Sequence, residues 1–239
     1  MKMNGKNMKG IESQSSGIPG WKRALDITLI LLTSPVWLPL MLVISVIIKI
    51  ASPGPSLFRQ ERIGYLGRTF TCFKFRTMVV NADTSIHQGH LAYLMGSNAP
   101  MKKLDAKRDP RVIPCGTILR TLGLDELPQL FNVLRGDMSL VGPRPCVPYE
   151  YQSYAPHQKQ RFEAAPGLTG LWQVSGKNRT TFEEMIGFDI HYARNLSLMM
   201  DLKIIFKTVP AIVSQTKDLA EDQKPVAAKA LPRTTVMQN

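Results

Sequence analysis

The sequence LDELPQLFNVLRGDMSLVGPRP occupies residues 124–145 and combines a helix signal with a pair of adjacent acids. Leu127–Arg135 has the apolar spacing of a short helix, and Gly136 directly after it is a residue that commonly ends helices. Pro128 falls in the first turn, where its missing N–H leaves no helical hydrogen bond unmade. This pattern predicts that Asp125 is the N-cap of the helix.

The adjacent acids Asp125 and Glu126 have two explanations from local sequence. In the first, Asp125 caps the helix and Glu126 interacts favourably with the positive end of the helix dipole. In the second, one carboxylate attacks a phosphorus atom of a bound diphosphate while nearby cations neutralise the transferring group. Arg120 and Arg144 are close in sequence and suit that role, because the guanidinium fork binds phosphate oxygens in pairs. The local sequence leaves both explanations open.

The net charge of the chain favours anionic partners. It has 239 residues, with 30 Lys and Arg against 18 Asp and Glu, which gives a formal charge of +12. Nucleic acid, phosphorylated small molecules and an anionic membrane surface all fit this balance. Cys72, Cys115 and Cys146 have neither disulfide-framework nor metal-ligand spacing, which favours a reducing, cytosolic environment.

A long apolar segment near the N-terminus narrows these choices. Leu25–Ile50 is long enough to cross a bilayer, yet Ser34 and Pro35 lie in its middle, where proline removes a hydrogen bond and bends a helix. Basic residues flank both ends, and such flanks favour the cytoplasmic side of a membrane. We therefore predict a re-entrant helix, with the Ser34 hydroxyl bonded to a carbonyl freed by Pro35. A proline-kinked helix that spans the membrane is the alternative.

The rest of the chain divides by composition and pattern. We predict a basic disordered tail, a membrane helix, a cytosolic domain and a second disordered tail at residues 1–20, 21–51, 52–215 and 216–239. Short strands are expected within Leu57–Met78, where apolar and polar residues alternate. A helical pattern covers Thr181–Val213, with a break near Asn195. Its second half carries one apolar stripe of the kind that packs into a core or lies in a membrane interface: Met199, Leu202, Phe206, Val209 and Val213.

Four motifs resemble those of the bacterial sugar transferases, the monotopic polyprenyl-phosphate phosphoglycosyl transferases. They are KFRTM at Lys74–Met78, DELPQLFNVLRGDMSLVGPRP at Asp125–Pro145, PGLTGLWQVSG at Pro166–Gly176 and RNLSLMMDLKIIFKT at residues 194–208. The motifs occur in the family's order, and the long central one is very specific. The resemblance extends from about Trp21 to Val213.

The resemblance implies a membrane enzyme that transfers a sugar 1-phosphate from a UDP-sugar to undecaprenyl phosphate. This step primes the synthesis of exopolysaccharide, capsule or O-antigen. The resemblance also implies that Asp125 is the covalent nucleophile, that Glu126 handles protons, and that Mg²⁺ binds beside them at Asp125. The family's phosphate-contacting cations correspond to Lys74, Arg76, Arg120 and Arg144, and its Ser-Pro kink to Ser34 and Pro35.

The chain departs from the family pattern at two positions. Lys177 stands where many members have arginine, and lysine cannot form the bidentate fork, which argues against a phosphate role for Lys177. Leu196 stands where other members have tryptophan, which weakens the expected anchoring in the membrane interface. Neither change affects the acid pair.

The expected fold is α+β and mostly helical. It comprises a re-entrant membrane helix hairpin and a small cytosolic α/β catalytic domain with interfacial amphipathic helices. We expect the short, catalytic-domain-only form of the family, at the inner (cytoplasmic) membrane with the catalytic domain facing the cytoplasm. Galactose and glucose, both carried on UDP, are common donor sugars of short members.

Two other classes of protein compete with this interpretation. A membrane-tethered scaffold of polysaccharide assembly would use the acid pair only as a cap and would release no nucleotide. A nucleic-acid binder would explain the positive charge through salt-sensitive binding, but it gives no reason for the apolar segment. No nucleic-acid partner is therefore expected.

Overall fold

The fold is that of a computed structural model, which describes residues 18–82, 85–97, 99–101, 109–176 and 179–222. The helices within these ranges are α1 Gly20–Ala51, α2 Ser85–Gly96, α3 Gly116–Thr121, α4 Gln129–Arg135, α5 Pro148–Ser153, α6 Leu171–Val174, α7 Phe182–Arg194 and α8 Leu198–Asp222. The strands are β1 Leu57–Ile63, β2 Thr69–Phe75, β3 Ser139–Val141 and β4 Gly167–Thr169. Lys177 and residues 1–17 and 223–239, which include most of both predicted tails, lie outside the described residues.

Helix α1 is at once the apolar segment and part of the protein core. Among the described residues it is the one helix long and apolar enough to cross a membrane. One of its faces is buried and carries Lys22, Asp26, Ile30, Trp37, Met41, Ile44 and Ile48. Another face leaves large apolar side chains such as Leu32 and Val36 more than two-thirds exposed. Such a helix packs on protein with one side and leaves the other side for an apolar environment.

Side chains in the middle of α1 donate hydrogen bonds to the backbone of the same helix. The Ser34 hydroxyl donates to the carbonyl oxygen of Leu31 at 2.8 Å, as predicted for the carbonyl that Pro35 leaves without an amide partner. The indole N–H of Trp37 donates to the carbonyl oxygen of Ile30 at 3.0 Å, across seven residues. This bond holds the Trp37 indole against the preceding turns on the buried side of α1.

A buried polar network joins α1 to α7 and α8. The Lys22 ammonium donates to the carboxylate of Asp201 and, at 3.0 Å, to the hydroxyl of Tyr192. The Tyr192 hydroxyl donates to Asp201 Oδ1 at 2.7 Å. One helical turn further along α1, Asp26 accepts the backbone amide of Leu140 at 3.1 Å. The start of α1 is therefore fixed to α7, α8 and β3.

Strands β1 and β2 form the predicted antiparallel hairpin. Asn132 of α4 is fully buried against it. Its side-chain Oδ1 accepts the Phe73 amide at 3.0 Å, and its Nδ2 donates to the Thr71 carbonyl at 2.7 Å. These two bonds give partners to an N–H and a C=O on the edge of β2 that does not pair with β1. Asn132 thereby fixes α4 beside the hairpin.

Strands β3 and β4 pair in parallel. Just past the end of β3 the backbones approach so closely that a Cβ on Gly142 would lie 2.2 Å from the carbonyl oxygen of Ala165. Only glycine allows this approach. The contact fixes the point from which residues 143–145 leave the sheet, and a bridge between Ile63 and Cys146 then brings them beside β1.

The helical pattern at Thr181–Val213 is confirmed as α7 and α8, separated at residues 195–197. In α8 the predicted stripe is a surface, since Met199, Phe206 and Val209 are exposed by 61%, 76% and 67% while Ile204 is buried. The core explanation of the stripe is therefore wrong for these three residues. Helix α8 continues to Asp222, beyond the domain end predicted at residue 215.

A re-entrant form of α1, as predicted from the sequence, requires both of its ends to face the same side of the membrane. Gly20→Cys and Pro55→Cys, each made with Cys115→Ser, should react with a membrane-impermeant maleimide from the cytoplasmic side only. Cys72 and Cys146 are buried and should stay unlabelled. Gln152→Cys, on the exposed surface of α5, marks the side of the domain. Labelling of the two ends from opposite sides would exclude the re-entrant form.

The Asn132 contacts predict a large loss of stability in Asn132→Leu. The substitution keeps the side-chain volume but leaves the Phe73 amide and the Thr71 carbonyl without partners, so we expect the free energy of unfolding to fall by about 2–5 kcal/mol. Thermal or denaturant unfolding of the purified protein measures the change. Gln152→Leu, on the exposed surface, is the control and should change the free energy by less than about 0.5 kcal/mol. Equal effects would contradict this account of Asn132.

Candidate active site

The acid pair lies in a short 3-10 turn ahead of α4 and not at the helix cap. Gly123 opens this turn with a φ of 69°, and Asp125 and Glu126 follow within it. Helix α4 starts at Gln129, with Pro128 in the N-cap position. The prediction that Asp125 caps the helix is therefore wrong, because the chain first closes i→i+3 bonds and delays the start of α4. The capping explanation of the pair no longer applies.

A cleft of about 600 Å³ opens beside this turn, a volume in the range of small-molecule sites. Most of the residues expected to act on substrate line it: Asp125, Glu126, Lys74, Arg120 and Arg144. The Lys74 ammonium on β2 donates to Glu126 Oε1 at 2.9 Å, and both side chains are partly exposed. An ion pair so exposed contributes at most about 1 kcal/mol to stability. Its main consequence is to hold a cation and a carboxylate together at the wall of the cleft.

Arg76 is not among the residues that line the cleft. Its side chain is 5% exposed, and it donates to the carbonyl oxygen of Ser52 at 2.9 Å and to the Ser52 hydroxyl at 3.3 Å. Ser52 is the C-cap of α1, where a cation also interacts favourably with the helix dipole. The structure therefore places Arg76 at the end of α1 and not with the other predicted phosphate-binding cations.

Arg62 lines the cleft although the sequence did not single it out. Its guanidinium donates to Gln60 Oε1 at 2.6 Å and to the carbonyl oxygen of Pro145 at 3.1 Å. Burial, and then the nearby charge of Arg144, lower the pKa of Arg62, yet an arginine stays protonated in proteins. Its position depends on the contact between β1 and Cys146, so only the tertiary structure identifies it.

A niche of about 10 Å³ deepens the cleft beside the acid pair, which is room for about one oxygen-sized group. Lys74, Glu126, Gln129, Arg144 and Gln173 are among its lining residues. The Gln173 Nε2 donates to the Leu168 carbonyl at 3.1 Å, while its Oε1 is buried and has no hydrogen-bond partner. The niche therefore presents the cations Lys74 and Arg144 to a ligand.

The thiols beside this niche are poor candidates for the nucleophile. Burial raises the pKa of Cys72, and it raises the pKa of Cys146 to about 12. Both thiols are therefore neutral at cytosolic pH, whereas the reactive form of cysteine is the thiolate. Between the thiols and the acid pair, the carboxylates are the better candidates for nucleophilic chemistry.

The acid pair can hold a metal ion only with help from a ligand. Across the described ranges, no group of three or more His, Cys, Asp or Glu side chains has a metal-binding arrangement. Two carboxylates nevertheless fit Mg²⁺, which commonly takes one or two protein carboxylates and completes its shell with substrate phosphates and water. Asp125 and Glu126 are therefore compatible with Mg²⁺ bound together with a diphosphate.

The far wall of the cleft is apolar and comes from α1 and α8. It includes Leu29, Ile205, Val209 and Ile212, and the last two are also exposed on the outer surface of α8. The cleft thus connects a charged site with the surface on which α1 and α8 expose apolar side chains. A molecule with a phosphate at one end and a hydrocarbon chain at the other fits this arrangement.

Comparison with known proteins gives consistent matches over most of the chain. The family described as "Bacterial sugar transferase" matches residues 18–215. The chain is 40% identical over 195 residues to the exopolysaccharide production protein ExoY of Sinorhizobium fredii, which covers 80% of this chain and 84% of that protein. It is 41% identical over 201 residues to the UDP-glucose:undecaprenyl-phosphate glucose-1-phosphate transferase of Caulobacter vibrioides, and this alignment covers 81% of this chain and 70% of that protein. It is 41% identical over 166 residues to the undecaprenyl-phosphate galactose phosphotransferase of Salmonella typhimurium, and this alignment covers 67% of this chain and 34% of that protein.

The different positions of Arg76 and Arg144 predict different effects of the same substitution. Arg76→Lys should lower the free energy of unfolding by about 1–3 kcal/mol, because lysine cannot keep both bonds to Ser52, and it should leave UDP binding within about twofold of wild type. Arg144→Lys should leave stability within about 0.5 kcal/mol but weaken UDP binding about tenfold or more, since it loses the bidentate fork. Calorimetry and thermal unfolding measure the two quantities. Weak UDP binding by folded Arg76→Lys would contradict its structural role.

Proposed function

The chain belongs to the bacterial sugar transferase family, and from this membership we propose that it transfers a sugar 1-phosphate from a UDP-sugar to undecaprenyl phosphate. The name of the Caulobacter vibrioides relative contains both a UDP-sugar donor and the undecaprenyl phosphate acceptor, and the name of the Salmonella typhimurium relative contains the same acceptor. The reaction takes place at the cytoplasmic face of the membrane and primes the synthesis of exopolysaccharide, capsule or O-antigen. The observation that carries the proposal is a cationic cleft holding two adjacent carboxylates and opening onto an exposed apolar surface.

In the first half-reaction, a carboxylate oxygen of Asp125 attacks the β-phosphorus of the UDP-sugar. The bond from this phosphorus to the bridging oxygen breaks, and UMP leaves with the electron pair. The sugar phosphate is then held as an acyl phosphate on Asp125, as in other aspartyl phosphates. Lys74, Arg120 and Arg144 line the same cleft and neutralise charge on the transferring group.

In the second half-reaction, an oxygen of undecaprenyl phosphate attacks the same phosphorus. The bond to Asp125 breaks, the carboxylate is regenerated, and the lipid diphosphate sugar is released. Glu126 accepts or returns the proton that these steps require, and Lys74 orients its carboxylate through the 2.9 Å bond. Leu29 of α1 and Ile205 of α8 belong to the apolar wall along which the lipid approaches from the membrane.

Asp125 and Glu126 are the residues that would hold Mg²⁺ in this reaction. Mg²⁺ would supply positive charge to the diphosphate oxygens as charge develops on them. The cations of the cleft act on the same oxygens from the protein side. Arg62, whose guanidinium lies beside Pro145, adds to the positive potential there.

The acid pair predicts separable losses of activity. Asp125→Asn should lower nucleotide release by more than about 10³-fold, because an amide cannot form the acyl phosphate. Glu126→Gln should lower it by about 10²-fold, in line with the contribution of a positioned general base. UMP release is measured with the full chain in membranes over a panel of UDP-sugars, with and without undecaprenyl phosphate. Substantial turnover by Asp125→Asn would rule out Asp125 as the nucleophile.

The covalent species provides an independent measurement and a matched control. Incubation with a UDP-sugar in the absence of lipid phosphate should add one sugar phosphate to the peptide containing Asp125, as detected by mass spectrometry. Glu163→Gln changes an exposed acid that does not line the cleft and should keep wild-type turnover. Kinetics that require both substrates to bind together, with no adduct captured, would contradict the two-step mechanism.

A further inference from the structure

The loop that carries Arg144 is held at three consecutive carbonyl oxygens. The Pro143 carbonyl accepts the backbone amide of Gly167 at 2.9 Å. The next carbonyl, of Arg144 itself, accepts from Arg161 Nη2 at 2.9 Å. The third, of Pro145, accepts from Arg62 Nη1 at 3.1 Å. Since prolines on both sides also restrict φ, the backbone from which the Arg144 side chain projects into the cleft is fixed from three directions.

Arg161 makes this contact from a buried position, where desolvation of its charge costs free energy. It is 1% exposed, and its guanidinium also donates to Asp189 Oδ2 at 2.5 Å and to the Tyr154 hydroxyl at 2.6 Å. Asp189 is equally buried. Burying an ion pair costs several kcal/mol of desolvation per charge, and replacing such a pair with apolar residues is often neutral or stabilising. Stability alone is therefore a weak explanation of the Arg161–Asp189 pair.

The geometry of the pair instead fixes the orientation of the loop that carries Arg144. A planar guanidinium can hold several acceptors at fixed angles. Arg161 uses this to connect three points: Asp189 on α7, Tyr154 just after α5, and the backbone of Arg144. Asp189 fixes the orientation of Arg161, and Arg161 fixes the carbonyl of the residue that faces the substrate.

We propose that Arg161 is a positioning residue, held by Asp189, that acts on phosphoryl transfer by aiming the Arg144 guanidinium through its backbone carbonyl. This inference rests on the proposed function in one respect, namely that Arg144 binds the donor diphosphate. Arg161 lies at the wall of the cleft and contributes to rate through the placement of Arg144. Misplacement of a positioning group by about 1 Å can cost about 100-fold in rate.

A double-mutant cycle tests this inference. The value measured is kcat/KM for the UDP-sugar, which in a two-step mechanism reports the first half-reaction alone. Arg161→Lys should lower it about 10- to 100-fold, because lysine cannot hold all three acceptors. In an Arg144→Lys background, where the fork that needs aiming is already lost, adding Arg161→Lys should cost less than about threefold. A residue that only stabilises the fold would give the same factor in both backgrounds.

The controls keep the outcomes distinct. Rates are expressed per folded protein, and Arg194→Lys makes the same change at an arginine exposed on α7, where no effect is expected. Asp189→Asn, which weakens the support of Arg161, is taken through the same cycle and should show the same non-additivity. Full additivity for both variants, or wild-type kcat/KM in folded Arg161→Lys, would overturn the inference while leaving an active enzyme. Absence of UMP release by the wild-type chain with every UDP-sugar would instead overturn the proposed function.

Discussion

The side chain of Asn132 is the interaction on which the arrangement of the acid pair depends. It bonds to the backbone of β2 at Phe73 and Thr71, so that α4 covers the edge of the hairpin as a further strand would. Lys74 then projects from β2 towards the turn that precedes α4 and reaches Glu126. One buried amide thus sets the separation between a strand that supplies a cation and a turn that supplies carboxylates. A two-stranded hairpin, which is marginal by itself, becomes a rigid support for the site.

The second constraint is that α1 belongs to the core as well as to the apolar surface. Ile44 and Ile48 are buried among residues of β2, α3 and α4, while neighbouring side chains of the same helix are exposed. The bond between Arg76 and Ser52 fixes the end of this helix at the strand that carries Lys74. The distance from the apolar surface to the acid pair is therefore set by packing within one structure and not by a linker. This coupling suits a reaction that joins a water-soluble substrate to a lipid.

The sequence was informative wherever the signal was local. Alternation and helical periodicity identified the hairpin, α7 and α8, and the bond of Ser34 in the middle of α1 followed from the missing amide of Pro35. The resemblance identified the acid pair and most of the cations that line the cleft.

The predictions that failed concern side chains whose surroundings are formed by residues distant in sequence. Arg76 was predicted to contact phosphate but is buried against Ser52. Arg62 reaches the cleft through a contact with Pro145, 83 residues away. The prediction that Asp125 is the N-cap of α4 was also wrong, because a 3-10 turn and the first turn of an α-helix share the same sequence preferences.

The network of Lys22, Tyr192 and Asp201 has a consequence for the biogenesis of the protein. Lys22 and Asp201 are 179 residues apart, so translation at about 5–20 residues per second separates their synthesis by roughly 10–35 s. During that interval Tyr192 and Asp201, the two hydrogen-bond partners of the Lys22 ammonium, have not yet been synthesised, and carrying an ammonium through hydrocarbon is costly. The order of synthesis therefore disfavours passage of the first turn of α1 through a bilayer before α8 has been made.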